Sequence, residues 1–92
     1  MVHNDADSRY ELLAGDTTLG VAEYRLLDTA GGQIADFHHT VIDPPHRDRG
    51  YGERLVRGAL DDARARNLRV RPTCWYVDQF LIEHPAYQDL RA

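Results

Sequence analysis

Two adjacent prolines, Pro44 and Pro45, stand near the middle of this 92-residue chain and separate two kinds of periodicity. Proline fixes φ and offers no backbone donor, so a strand that reaches the pair must end there. Before the pair, apolar and polar residues alternate. In Thr17–Leu27, Ala22, Tyr24 and Leu26 fall on one face and Glu23 and Arg25 on the other. In Ile34–Ile42, Ala35, Phe37, His39 and Val41 alternate with Asp36, His38 and Thr40. A shorter run, Arg9–Leu13, comes first. The turn formers Ala14-Gly15-Asp16 and Asp28-Thr29-Ala30-Gly31-Gly32 separate the runs, which predicts an antiparallel meander.

After the prolines the period changes. From Gly52 to about Arg66, Leu55, Val56, Ala59, Leu60 and Ala63 form one apolar stripe of a helix, and Asn67 suits its stop. Leu68–Pro72 reads as a fourth strand. Trp75–His84 reads as a second amphipathic helix, with Val77, Phe80, Leu81 and His84 aligned and Pro85 as terminator. The order is β-β-β-α-β-α, an α/β (α+β) domain. The length and the 42% apolar content suit one globular domain over residues 9–92. Met1–Ser8, polar and acidic, is expected to be a flexible tail and not a signal peptide.

Residue usage excludes several chemistries. Every basic residue is arginine, so no lysine is available for a Schiff base or for a Walker-type phosphate loop. One cysteine, Cys74, permits neither an internal disulfide nor a multi-cysteine metal site. His38, His39 and His46 lack the spacing and the carboxylates of a metal site. No apolar run is long enough to span a membrane, and a cytoplasmic protein is expected.

The net charge of −4 conceals a basic middle. Residues 46–71 hold eight arginines against Asp48, Glu53, Asp61 and Asp62. The segments on either side are acidic. A local basic segment in an acidic protein points to an anionic ligand more than to nucleic acid. The plainer alternative is a solvated helix face with pairs such as Arg57 with Asp61.

The segment Arg47-Asp48-Arg49-Gly50-Tyr51-Gly52 lies between a strand and an amphipathic helix. Glycines there allow close backbone approach, and the first N–H groups of the helix lack intrahelical partners. Such a junction can cradle a pyrophosphate. A dinucleotide fingerprint would need a third glycine where Leu55 stands. What remains is R-x-x-G-x-G. Arg47, Gly50 and Gly52 are the candidate phosphate-binding residues, with the N–H groups of Arg49 and Tyr51 assisting.

That pattern resembles the acetyl-coenzyme A loop of the GNAT superfamily of N-acetyltransferases. His39-Thr40-Val41-Ile42, Leu55-Val56, Pro72-Thr73-Cys74 and His84-Pro85-Ala86-Tyr87 extend the resemblance to a minimal subgroup of about 90 residues, covering roughly residues 9–90. It implies a mainly antiparallel sheet whose strands Ile34–Ile42 and Leu68–Pro72 splay apart around an acetyl-pantetheine arm. It implies a coenzyme A site at Val41, Ile42, Arg47, Asp48, Arg49, Gly50, Tyr51 and Gly52. Larger members carry additional elements that shape the acceptor pocket and that this chain lacks. The subgroup usually has an acidic residue where Val41 stands.

Two residues are catalytic candidates. The resemblance places Cys74 near the acetyl thioester, as an acyl-accepting nucleophile or a pocket wall; a thiol before a helix tends toward thiolate. The alternative for Cys74 is a small buried hydrophobe. Simple alternation puts His39 on the apolar face, where such a residue is often merely packed. The resemblance sets it by the reaction centre, where it would deprotonate the amine. Tyr76 and Tyr87 are packing residues or, by resemblance, proton donors to the departing thiolate.

The sequence thus predicts an acetyl-coenzyme A-dependent N-acetyltransferase acting on a small-molecule or protein amine, without a metal. The alternative is a non-catalytic coenzyme A-binding or protein-interaction module on the same scaffold. Neither a membrane nor nucleic acid is an expected partner. A second subunit completing the truncated pocket stays open, with no residue that demands it.

Overall fold

A computed structural model describes all 92 residues. Five strands form one sheet in sequential order: β1 (Val2–Asn4), β2 (Arg9–Ala14), β3 (Thr17–Thr29), β4 (Gly32–Ile42) and β5 (Arg69–Arg71). The first four are antiparallel neighbours, and β5 joins β4 in parallel. Helix α1 (Tyr51–Ala65) makes that crossover, and α2 (Trp75–Glu83) follows β5. A 3-10 segment, Pro85–Leu90, closes the chain.

The helical stripe read from the sequence is the core of the molecule. Leu55, Val56, Ala59, Leu60 and Ala63 are buried beneath Tyr10, Leu12, Ala22, Tyr24, Ala35 and Phe37 of the sheet. Asn67, at φ 57°, ends α1 in the left-handed region that asparagine tolerates. Val77, Phe80 and Leu81 of α2 are buried as the spacing predicts, while His84 is only partly covered.

The segment expected to be a flexible tail is a strand instead. Val2–Asn4 pairs with Arg9–Glu11. His3 stacks on Tyr10 with ring centroids 4.4 Å apart and lies 2.6 Å from the Tyr24 hydroxyl. These contacts come from residues distant in sequence, so a three-residue strand left no periodic signal. A second difference concerns Leu26, expected on the apolar face. It is exposed, because residues 25–33 form the far end of the β3–β4 hairpin, where no side chain is buried.

The third difference sets the site. The β3–β4 ladder shifts register between Glu23 and Tyr24, which face His39 and Phe37. His38 is therefore an extra residue on β4, a β-bulge. Alternation breaks there. Thr40, opposite the buried Ala22, takes the core face in place of His39. His39 turns to the outer face beside Glu23, and its side chain is 53% exposed.

One polar network ties the sheet to α1. The Tyr10 hydroxyl donates to Asp62 at 2.6 Å, and Arg66 Nε donates to the same carboxylate at 2.7 Å. Burial and the hydrogen bond to Asp62 push the Tyr10 pKa up. Burial alone would raise the Asp62 pKa, but the bonds from Tyr10 and Arg66 outweigh it and hold the pKa below the ordinary value. A carboxyl depressed on folding stabilises the fold above its unfolded pKa, and loses that contribution as pH falls through the folded value. Tyr10→Phe is expected to lower unfolding free energy at neutral pH by about 1.5–3 kcal/mol, the range for a hydrogen bond to a charged group. The gap between the variant and wild type should narrow as Asp62 protonates in acid. Chemical denaturation across pH checks both, and a gap independent of pH would show that the carboxylate is not involved.

Candidate functional site

The parallel ladder between β4 and β5 is short. It pairs Ile34, Ala35 and Asp36 with Arg69, Val70 and Arg71, and then stops, while β4 runs on to Ile42. The chain leaves β5 through Thr73, whose hydroxyl donates to the buried Asp36 carboxylate, and Cys74, whose N–H donates to the Phe37 carbonyl at 2.8 Å. Helix α2 starts directly after. Beyond this point β4 continues to Ile42 without a partner on that side, and the chain after β5 turns away into α2.

A cleft of about 430 Å³ opens beyond the divergence. Thr40, Val41 and Ile42 of β4 form one wall and Trp75 and Tyr76 of α2 the other. Its end is closed by His46, Arg47, Asp48, Gly50, Tyr51 and Gly52. Seven of the eight residues expected to bind the cofactor therefore meet at one cavity; Arg49 is not among its lining residues.

The loop geometry follows from its glycines. Gly50 has φ +77° and directly precedes α1, and the first α-helical bond runs from the Arg54 N–H to the Gly50 carbonyl. The N–H groups of Tyr51, Gly52 and Glu53 lie ahead of that bond at the positive end of the helix dipole. Gly52 serves a different need. A Cβ there would lie 2.5 Å from the Tyr76 hydroxyl, so the absent side chain is what lets Tyr76 lie against the start of α1. Burial raises the Tyr76 pKa, and Glu53 and Glu83 add to the shift.

The arginines divide into two groups. Arg57 pairs with Glu53, Arg64 with Asp89 and Arg66 with Asp62. Arg57 does not pair with Asp61 as the helical spacing suggested; Asp61 accepts from the Tyr87 hydroxyl at 2.8 Å. Tyr87 is thereby engaged on α1, away from the cleft. Arg47, Arg49 and Arg54, at and just past the loop, form no ion pair, and Arg47 Nε donates to the Ile42 carbonyl at 2.8 Å. That bond fastens the loop to the end of β4 while the guanidinium keeps further donors. Of these three arginines, Arg47 lines the cleft; Arg69 and Arg71 of the same basic segment, on β5, form no ion pair either.

The two catalytic candidates are not cleft-lining residues. Cys74 is partly buried against the core at the apex of the divergence. His39 lies on the opposite sheet face, 4.0 Å from Glu23. Sequence reasoning missed Thr40, His46 and Trp75 as lining residues; Tyr76, one of the two tyrosines weighed as a proton donor, does line the cleft, and Tyr87 does not. For Trp75 a signal existed: a bulky aromatic at the first position of a helix, here 75% exposed. Trp75 and Tyr76 also border a second cavity of about 260 Å³, which follows α2 outward past Gln79 to Glu83 and His84. The Glu53 carboxylate there stands 3.4 Å from His84 Nε2.

Residues 9–90 match the family model described as GCN5-related N-acetyl-transferase. Among curated proteins, the chain is similar to "Protein NATD1" of Bos taurus, with 37% identity over 65 residues. It is similar to the Gallus gallus and Homo sapiens proteins of the same name at 34%. Each match takes in 71% of this chain but only 58% or 59% of the relative, so the matched segment spans little more than half of the relative's length.

The left-handed Gly50 yields a stability test. Nothing lies within 4 Å of a Cβ built there, so Gly50→Ala meets backbone strain and no clash. It is expected to cost about 1–2 kcal/mol in urea denaturation, with Gly50→Asn less costly because asparagine tolerates the left-handed region. Equal losses for the two would point away from φ as the cause.

Proposed function

This chain belongs to the GCN5-related N-acetyltransferase family, and on that footing we propose that it binds acetyl-coenzyme A in the β4–α2 cleft and transfers the acetyl group to an amine. The observation that carries the reading is the convergence, at one end of the cleft, of a left-handed glycine, a helix start and Arg47, an arginine without an ion pair. That combination suits a diphosphate. In this reading the acyl-carrying arm lies along Thr40–Ile42 toward the divergence of β4 and β5. The nucleotide end lies on the other side of the loop, by Trp75 and the second cavity.

A gap between diverging strands opens on both sheet faces, so donor and acceptor can approach from opposite sides. The donor occupies the helix face. The outer face presents His39 beside Glu23, which would take the proton from the incoming amine. The amine nitrogen bonds to the thioester carbon, backbone donors on the free edge of β4 stabilise the oxyanion, and the C–S bond breaks. The departing thiolate takes a proton; the raised pKa of Tyr76 keeps its hydroxyl protonated and suited to that role. Cys74, at the apex, would line the acetyl group or accept it transiently as a thioester. The acceptor amine belongs to a small molecule or a protein, and the site of action is cytoplasmic.

A second reading has its own support. Neither His39 nor Cys74 lines the cleft, which is the arrangement of a module that binds coenzyme A without turning it over.

Trp75 is the single tryptophan and stands at the cleft rim, so acetyl-coenzyme A should change its fluorescence on binding. Arg47→Ala should weaken that binding roughly 10- to 150-fold, the equivalent of about 1.5–3 kcal/mol for a hydrogen bond to a charged group. No fluorescence or calorimetric response to acetyl-coenzyme A at millimolar concentration would defeat the reading. Release of free thiol in a screen of amine acceptors separates the enzyme from the binding module. In that assay His39→Ala should lower turnover with donor affinity unchanged. Cys74 should be protected from a small alkylating reagent by saturating acetyl-coenzyme A, and a hydroxylamine-labile adduct by mass spectrometry would identify it as an acyl acceptor. A thiol equally inert with and without ligand would assign Cys74 to packing.

A further inference from the structure

Thr40 holds the one buried side-chain polar atom of the protein that has no hydrogen-bond partner, its Oγ1. A hydroxyl buried without a partner costs about 1–3 kcal/mol, and folded proteins seldom leave one so. The cause is local. The bulge at His38 turns Thr40 to the core face opposite Ala22, which offers only a methyl group. Thr40 also lies four residues beyond Asp36, the last β4 residue paired with β5, so no neighbouring strand supplies a partner on that side. The same residue lines the cleft, between the apex at Phe37 and Cys74 and the loop at 47–52.

We propose that the Thr40 hydroxyl is a ligand-binding group that hydrogen-bonds an amide in the acyl-carrying arm of coenzyme A. The proposal rests on the coenzyme A reading above. It assigns the hydroxyl to the arm because Thr40 stands between the place for the thioester and the place for the phosphates, and amides are the polar groups of that stretch of the molecule. An amide needs a partner when it leaves water for an apolar cleft, and Thr40 can both donate and accept.

Thr40→Val keeps the shape of the side chain and removes the hydroxyl; Thr40→Ser keeps the hydroxyl and removes the methyl. With coenzyme A and acetyl-coenzyme A as probes, Thr40→Val is expected to weaken both alike, roughly 5- to 100-fold, because an amide loses a hydrogen-bond partner in the cleft. Thr40→Ser should stay within about threefold of wild type, the equivalent of about 0.7 kcal/mol. The nucleotide half alone, adenosine bisphosphate, should bind wild type and Thr40→Val equally. In the absence of ligand, Thr40→Val should melt at or above the wild-type temperature, since it removes an unpaired polar atom. Unchanged coenzyme A affinity in Thr40→Val would overturn the proposal, as would an equal loss in Thr40→Ser. A Thr40→Val protein that melts lower and binds normally would assign the hydroxyl to the fold. If only acetyl-coenzyme A is weakened, the partner is the thioester carbonyl and the amide assignment falls. Wild-type protein that binds neither coenzyme form removes the coenzyme A reading itself, a result distinct from all of these.

Discussion

Asp36 lies where the two parallel strands part, 7% exposed, with the Thr73 hydroxyl donating to it and Arg25 Nε 3.7 Å away. A carboxylate taken out of water is costly unless it is hydrogen-bonded or paired. Its partners come from the residue that leaves β5 and from the neighbouring strand, so the cost is offset only if β5 ends where it does. The Cys74 N–H on the Phe37 carbonyl fixes the next step, and α2 can then begin only at Trp75. Pro72, which has no N–H to offer a ladder, follows Arg71 directly and adds to the stop. The site therefore depends on a break in backbone pairing fixed by Pro72, the buried Asp36 and the Cys74–Phe37 bond together.

The bulge at His38 is the second determinant. A single inserted residue exchanges the faces of everything after it on β4. It moves a histidine to the open sheet face and a threonine to the cleft wall. In a splayed sheet both faces meet at the gap, so the exchange gives the two sides different chemistry. The helix side receives an apolar wall with one hydroxyl. The outer side receives an exposed imidazole beside a carboxylate.

Charge is sorted by the same economy of position. Along α1, the arginines from Arg57 onward are used by acids of the same helix or of the C-terminal segment. Those near the loop are not. Arg47 and Arg49 thus keep positive charge without an acidic partner at the start of α1, where the helix dipole adds to it, and Arg69 and Arg71 on β5 form no ion pair either. Aromatic packing supplies the opposite wall, since Tyr76 rests on Gly52 and Trp75 stands free at the rim.

Much of this was written in local pattern. The strands before Pro44, though not every facing within them, the stripe from Leu55 to Ala63 and the glycines of the loop each act over a few residues, through sterics and periodicity, and so they read correctly from the chain alone. The same holds for the ordered motifs that carry the family resemblance. Three things did not. Strand β1 exists because His3 finds Tyr10 and Tyr24, and those contacts join residues remote in sequence. The facing of His39 and Thr40 reversed because a bulge leaves no compositional mark. Trp75 and Tyr76 became a wall of the cleft only when α2 was set against the start of α1. Sequence determined the elements and the loop chemistry, which are local. Tertiary structure decided which side chains face the cleft, because facing depends on strand register, and register is settled by packing across the whole sheet.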